Sequence, residues 1–225
     1  LNRLALLCAA LLACGVFAAV PPHEYGFTRS VSSGLVQNLV QRFGAGARSH
    51  VADWVDFAKR RKAAGTGADS GTWPVERLQI VNSYLNTVPW FSDSEHWGAV
   101  DYWATPAETV ASHGADCEDF AIAKYFLLKE LGVPVSRLRI TYVRAIRIQE
   151  PHMVLAYYPS AGADPMILDN LDDRVQPASR RSDLVPVYSF NDEDVVLVRN
   201  NQRGNVSQIR NWRGLNERLG AEARM

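Results

Sequence analysis

The sequence predicts an α+β fold, and two observations carry that prediction. From about residue 30 to residue 131 apolar side chains recur at helical spacing, and from residue 137 the period drops to two. The links between the later apolar segments, "QEP" and "SAGAD", are short, which implies antiparallel neighbours. Helices first and an antiparallel sheet afterwards is the α+β pattern. With 225 residues, 47% of them hydrophobic, the chain is long enough for one well-buried domain, or for one domain plus a small helical lobe.

The elements follow in order. Arg3 precedes an apolar run, Leu4 to Val20, that ends in small residues before Pro21-Pro22. This is the pattern of a secretory signal over residues 1–19, cut near Ala18 or Ala19. A lipoprotein box ending at Cys14 and an uncleaved anchor are the alternatives, since the run is close to the ~17-residue lower limit for a spanning helix. "GLVQNLVQRFG" places Leu35, Val36, Leu39, Val40 and Phe43 at helical spacing, and Gly44 stops it. "HVADWVDFAKRRK" turns Val51, Trp54, Val55 and Ala58 to one side and ends in the basic cluster 59–62, where the helix dipole favours cations. "AGTGADSGTW" has no phosphate-binding glycine spacing and reads as a connector. A further helix starts at Pro74, a good first-turn residue, and buries Val75, Leu78, Val81 and Leu85.

"ATPAETVASHG" contains a capping box, with Thr105 as N-cap, Pro106 at the first helical position, Glu108 reaching back, and Gly114 as the stop. The next helix covers about 117–131 and ends at Gly132 and Pro134. Strands are predicted over 137–148, 152–159 and 164–170, with one or two more before a last helix that turns Ile209, Trp212, Leu215 and Leu219 inward. The six tryptophans read as core or groove-lining residues. Residues 20–103 are expected to form a helical lobe and residues 104–225 the core, with the C-terminal helix, in one compact unit.

Composition narrows the function. Lys+Arg and Asp+Glu number 24 each, so no net field points to nucleic acid or an anionic membrane. Cys8 and Cys14 fall in the signal, so Cys117 is the single cysteine of the exported chain and a disulfide framework is excluded. His23, His50, His96 and His113 have no paired metal spacing. Cys117 stands at a helix N-terminus, His152 opens a strand, and Asp169 lies on the next one. A helix N-terminus and an imidazolium both stabilise a thiolate, and an acid can orient the histidine. Each residue also has a plain reading: a small buried hydrophobe, a satisfied histidine, and a turn-forming aspartate. Asp116, Glu118 and Asp119 flank the cysteine, and by themselves they read as acids that complement the helix dipole.

"DYWATPAETVASHGADCEDFAIAKYFLLKELGVP", followed by "HMVLAYY" and "ILDNL", resembles the bacterial transglutaminase-like cysteine proteinases over about residues 70–190. Within that family it resembles the periplasmic type that releases large biofilm adhesins. One departure is Ala115, where glycine is the expected residue. The resemblance implies a papain/transglutaminase-like core with Cys117 as nucleophile, His152 as general base and Asp169 as the orienting acid. It implies calcium dependence, with Asp116, Glu118 and Asp119 as metal ligands. These hard oxygens suit Ca²⁺ but fall short of the roughly six to eight it takes, so other groups must complete the shell. The implied partners are a large surface adhesin as substrate and the periplasmic domain of an inner-membrane cyclic-di-GMP receptor as inhibitor. An acyl transferase joining glutamine to an amine, and a silent peptide-binding module, remain open on the same residues.

Overall fold

The computed structural model describes residues 26–64 and 73–225. The signal segment 1–19, with Cys8 and Cys14, lies outside them, as do His23 and most of the glycine-rich connector. Among the described residues no helix is long and apolar enough to cross a membrane. The helical half opens with α1 (Phe27–Ser30), α2 (Ser33–Phe43), α3 (Gly46–Ala63) and α4 (Val75–Leu85). Ser32 caps α2 by accepting from Leu35 N at 3.0 Å, and Gly44 closes it with φ +87°. α3 buries Ala47, Val51, Trp54, Phe57 and Ala58, so Phe57 takes the place expected of the half-buried Val55. Pro74 is the extended N-cap of α4 rather than its first residue. The helix is therefore rotated so that Leu78, Val81, Asn82 and Leu85 face inward and Val75 stays exposed.

The short α5 (Asp93–His96) and α6 (Pro106–Ser112) lead to the long α7 (Cys117–Glu130). Both halves of the Thr105–Glu108 capping box form. The stop of α6 differs from the expectation: the left-handed residue is His113, with φ 54°, and not Gly114. Gly114 is needed for space, because a Cβ there would come within 2.3 Å of the His96 ring. Ala115 pairs with Trp90 in a parallel bridge, Phe91 N donating to Ala115 O at 3.0 Å and Ala115 N to Pro89 O at 3.2 Å. That backbone is open to alanine, so the departure from glycine brings no strain.

Seven strands form one antiparallel sheet in the order β4-β3-β2-β1-β5-β6-β7. They are β1 (Leu138–Ala145), β2 (Glu150–Tyr157), β3 (Met166–Leu168), β4 (Gln176–Pro177), β5 (Leu184–Phe190), β6 (Val195–Leu197) and β7 (Gln202–Gly204). β1 stops at Ala145, short of the expected residue 148, because the next residues turn, with Gln149 at φ 57°. Four strands follow residue 175 where one or two were expected; three of them have two or three residues and carry no readable alternation. α7 lies across β1 and β2, and α8 (Arg210–Glu222) packs through Trp212, Leu215 and Leu219. One hydrophobic core runs from Phe27 and Trp54 through Leu127 and Leu155 to Phe190 and Trp212. It joins the helical segment to the sheet, and burying each large side chain contributes about 1.5–3 kcal/mol.

Candidate active site

Cys117 is the first residue of α7, and Asp116 is its N-cap, accepting from Asp119 N at 3.4 Å. The free N–H groups of the first turn favour negative charge at this point. The rest of the site opposes it. Burial pushes the Cys117 thiol up, and the charges of Glu118 and Asp116 push it further. The thiol donates to Glu118 Oε2 at 2.9 Å, while the Met153 N–H on β2 donates to the sulfur and favours the thiolate. In this setting, through burial first and the neighbouring acids second, Cys117 holds its proton.

The bond from Met153 sets the sulfur against the backbone of β2, one residue along the chain from His152. Cys117 and His152 line one cleft of about 700 Å³. His152 is the third residue of β2 rather than its opening residue, and Asp169 sits in the turn just after β3. The pairing of Leu155 with Leu168 brings the two together. His152 Nε2 lies 2.7 Å from Asp169 Oδ1, with both side chains buried. Leu171 N also donates to Oδ1, at 3.0 Å, and Arg181 Nη2 donates to Oδ2 at 2.7 Å. Burial alone would raise the Asp169 pKa, but His152, the Leu171 amide and Arg181 outweigh it and hold it at about 2. Arg181 is fixed in turn by Asp183, which accepts from Nε and from Nη2 at 3.0 Å each. The sequence reading missed this clamp; its only trace is the basic-acidic string "RRSD".

The three acids beside Cys117 do not form one set. Asp116 and Asp119 gather with Asp93, and Glu118 gathers with Asp93 and Asp101; in each group one ligand oxygen per residue lies within 4.8 Å of the others. Asp119 is wholly buried, accepting from Ala104 N at 2.7 Å and Trp97 Nε1 at 3.4 Å. Asp93 Oδ2 accepts from Tyr102 N at 2.6 Å, whereas its buried Oδ1 has no partner among the described residues. Burial, then the neighbouring carboxylates, raises the pKa of Asp116 to about 10. Asp119 and Glu118 are also pushed up, burial leading in both cases. Crowded, desolvated carboxylates with an orphaned oxygen are the donor set of a hard cation. Asp93 and Asp101 were not foreseen, although "SDSEHWGAVD" places both acids in the segment that leads to the site.

Elsewhere in this region His50 stacks on His113 with ring centroids 4.2 Å apart, and His96 Nε2 pairs with Ser112 Oγ at 2.8 Å. The cleft is rimmed by exposed apolar side chains, among them Trp90, Val100, Ile148 and Leu171.

A cysteine at the start of a helix laid over an antiparallel sheet, with a histidine on one strand and its acid just past the end of the next, is the arrangement of the papain-like class of cysteine peptidases. Residues 49–184 match the profile of the bacterial transglutaminase-like cysteine proteinases, and the chain belongs to that family. It is similar to Legionella pneumophila LapG solved after EGTA treatment, with 36% identity and a TM-score of 0.70 over 84% of this chain and 98% of that one. The calcium-bound form of Legionella pneumophila LapG is similar at 35% identity and a TM-score of 0.67, over 84% of this chain and 99% of the other. No curated protein sequence matches the chain.

Proposed function

We propose that the chain is an exported, calcium-dependent cysteine endopeptidase that cleaves the N-terminal region of a large surface adhesin and so promotes biofilm dispersal. The observation that carries the reading is the buried His152 Nε2–Asp169 Oδ1 pair at 2.7 Å, with His152 lining the same cleft as the cysteine at the start of α7. With Nε2 committed to Asp169, Nδ1 is the nitrogen left to exchange a proton with the thiol. Cys117 attacks the scissile carbonyl as the thiolate, and its backbone N–H stabilises the developing oxyanion, worth about 3 kcal/mol per donor. His152 then gives its proton to the leaving amine, and the C–N bond breaks to leave a thioester. Water attacks the thioester with His152 as base, which releases the acid product and the thiol. Asp169 keeps the imidazole in the right tautomer and stabilises it when charged.

The residues present fit calcium. Asp93 is common to both groups and would hold it together with Asp116 and Asp119 or with Glu118 and Asp101, and the similarity to a LapG that has a calcium-bound form supports the choice of ion. When bound, the ion supplies positive charge that offsets the carboxylates. In the second group Glu118, which accepts from the thiol in the metal-free chain, would then be one of the ion's ligands, and the helix N-terminus and His152 would favour the thiolate. The same resemblance supports regulation by the periplasmic domain of a membrane cyclic-di-GMP receptor that sequesters the enzyme.

Cleavage of candidate adhesin fragments tests the reading. Wild type is expected to cut them, Cys117→Ala to be inert, and EGTA to abolish cutting until Ca²⁺ is restored, with Asp93→Asn needing more Ca²⁺ than wild type. Cutting by Cys117→Ala, or amine cross-links without chain cleavage, would reject the peptidase reading. Indifference to EGTA would reject the metal.

A further inference from the structure

One buried charge has no part in these steps. Lys124 lies two turns along α7 from Cys117 and is wholly buried, and its Nζ has no hydrogen-bond partner among the described residues. A lysine is almost never fully buried without a partner. A methionine would fill the same space without desolvating a charge. What the ammonium adds over such a side chain is its field, and the charged groups that feel it are Asp169 and Asp173, both on the turn that follows β3. On α7 itself the Phe120 ring faces the ammonium, its centroid 5.5 Å from Nζ.

α4 holds the same turn from the other side with uncharged groups. Asn82 Nδ2 donates to the carbonyls of Asp172 and Asp173 at 3.4 and 3.0 Å. Asn86 Nδ2 donates to the Asp169 carbonyl at 2.9 Å and to Asp173 Oδ1 at 2.7 Å. The remaining cationic groups on Asp169 are Arg181 and, when protonated, His152. The turn is therefore tied to α4 by amides and to the sheet by Arg181, and the Lys124 ammonium, on the helix that carries Cys117, acts on it through its field with no bond of its own.

We propose that Lys124 is a positioning residue for the reaction: its buried ammonium holds the turn 169–173 and the ionised Asp169 where the acid can orient His152 toward Cys117. The inference rests on the function proposed above and goes beyond it by adding a residue that touches neither substrate nor metal. Burial draws the Lys124 pKa down to about 7 against the opposing pull of Asp169 and Asp173, so its charge changes near neutral pH.

The test compares full-length wild type, Lys124→Met and Lys124→Gln for cleavage of an adhesin fragment with saturating Ca²⁺, and for thermal unfolding. Removal of an unpaired buried charge is expected to raise the melting temperature of Lys124→Met. At the same time kcat is expected to fall on the order of 100-fold, because a small misplacement of catalytic groups has that effect. KM should stay put, and the activity loss that wild type shows as pH rises past neutrality should disappear from the variant's profile. Lys124→Gln is expected to follow Lys124→Met in kcat and pH profile, since both lack the charge. Unchanged kcat and pH profile in either variant would overturn the proposal. So would a Lys124→Met protein that loses stability or its fold, which would assign the ammonium to structure. Failure of wild type to cleave would sink the peptidase reading and this inference with it, whereas wild-type cleavage with unaltered variants sinks the inference alone.

Discussion

Asp169 shows how much of the site rests on single contacts. One of its oxygens accepts from His152 and Leu171 and the other from Arg181, all behind nearly complete burial. Arg181→Met would leave a buried carboxylate short of its cation, and breaking such a pair costs about 3–5 kcal/mol. Urea denaturation at neutral pH should register that loss. The sign of the pH effect follows from the depressed pKa of about 2. A carboxylate held below its ordinary value of about 3.9 adds stability above that pH, and the contribution is lost as the pH falls through the folded value. In Arg181→Met the acid loss should therefore begin at a higher pH than in wild type; identical acid transitions would count against the clamp. Cys117, His152 and Asp169 were readable as candidates because the family resemblance falls on their motifs, each residue alone having a plain reading. Arg181 was not, because a clamp on a turn has no period.

At the scale of the element, the helix starts were legible and the helix stops less so. Thr105, Pro106 and Glu108 announce α6 by chemistry that needs no tertiary partner. Its stop was misjudged because Gly114 answers to the His96 ring, a long-range neighbour, while the left-handed turn falls on His113. α6 also ties distant elements together. Glu108 accepts from Arg42 on α2 at 2.6 Å and from Tyr102 at 2.9 Å, and Thr105 Oγ1 bonds Glu222 on α8. Thr105→Val, nearly the same shape without the cap, is expected to lose about 1–2 kcal/mol. Thr105→Ser should restore most of that in thermal melts; if both variants matched wild type, the cap would carry no weight. The short strands β4, β6 and β7 were beyond reading for another reason: two or three residues cannot display an alternation.

In the whole molecule, the cleft lies where the helical half and the sheet meet. α7 brings Cys117, β2 brings His152, α5 brings Asp93, and the segment between α5 and α6 brings Asp101. The acids next to Cys117 could be read from the sequence, but their partners are 15 or more residues away and belong together only after folding. The Cys117–Glu118 contact has a practical consequence for the protein as an object in solution. While Glu118 holds the proton on sulfur, the side chain is a poor target for electrophiles and oxidants, so the metal-free protein carries its own shelf life. On the function proposed above, loading with calcium would exchange that inertness for reactivity. Iodoacetamide should label Cys117 faster in Ca²⁺ than in EGTA at the same pH, which turns the cysteine into a gauge of metal occupancy that works without any substrate. Equal labelling rates would show that the carboxylate does not guard the thiol.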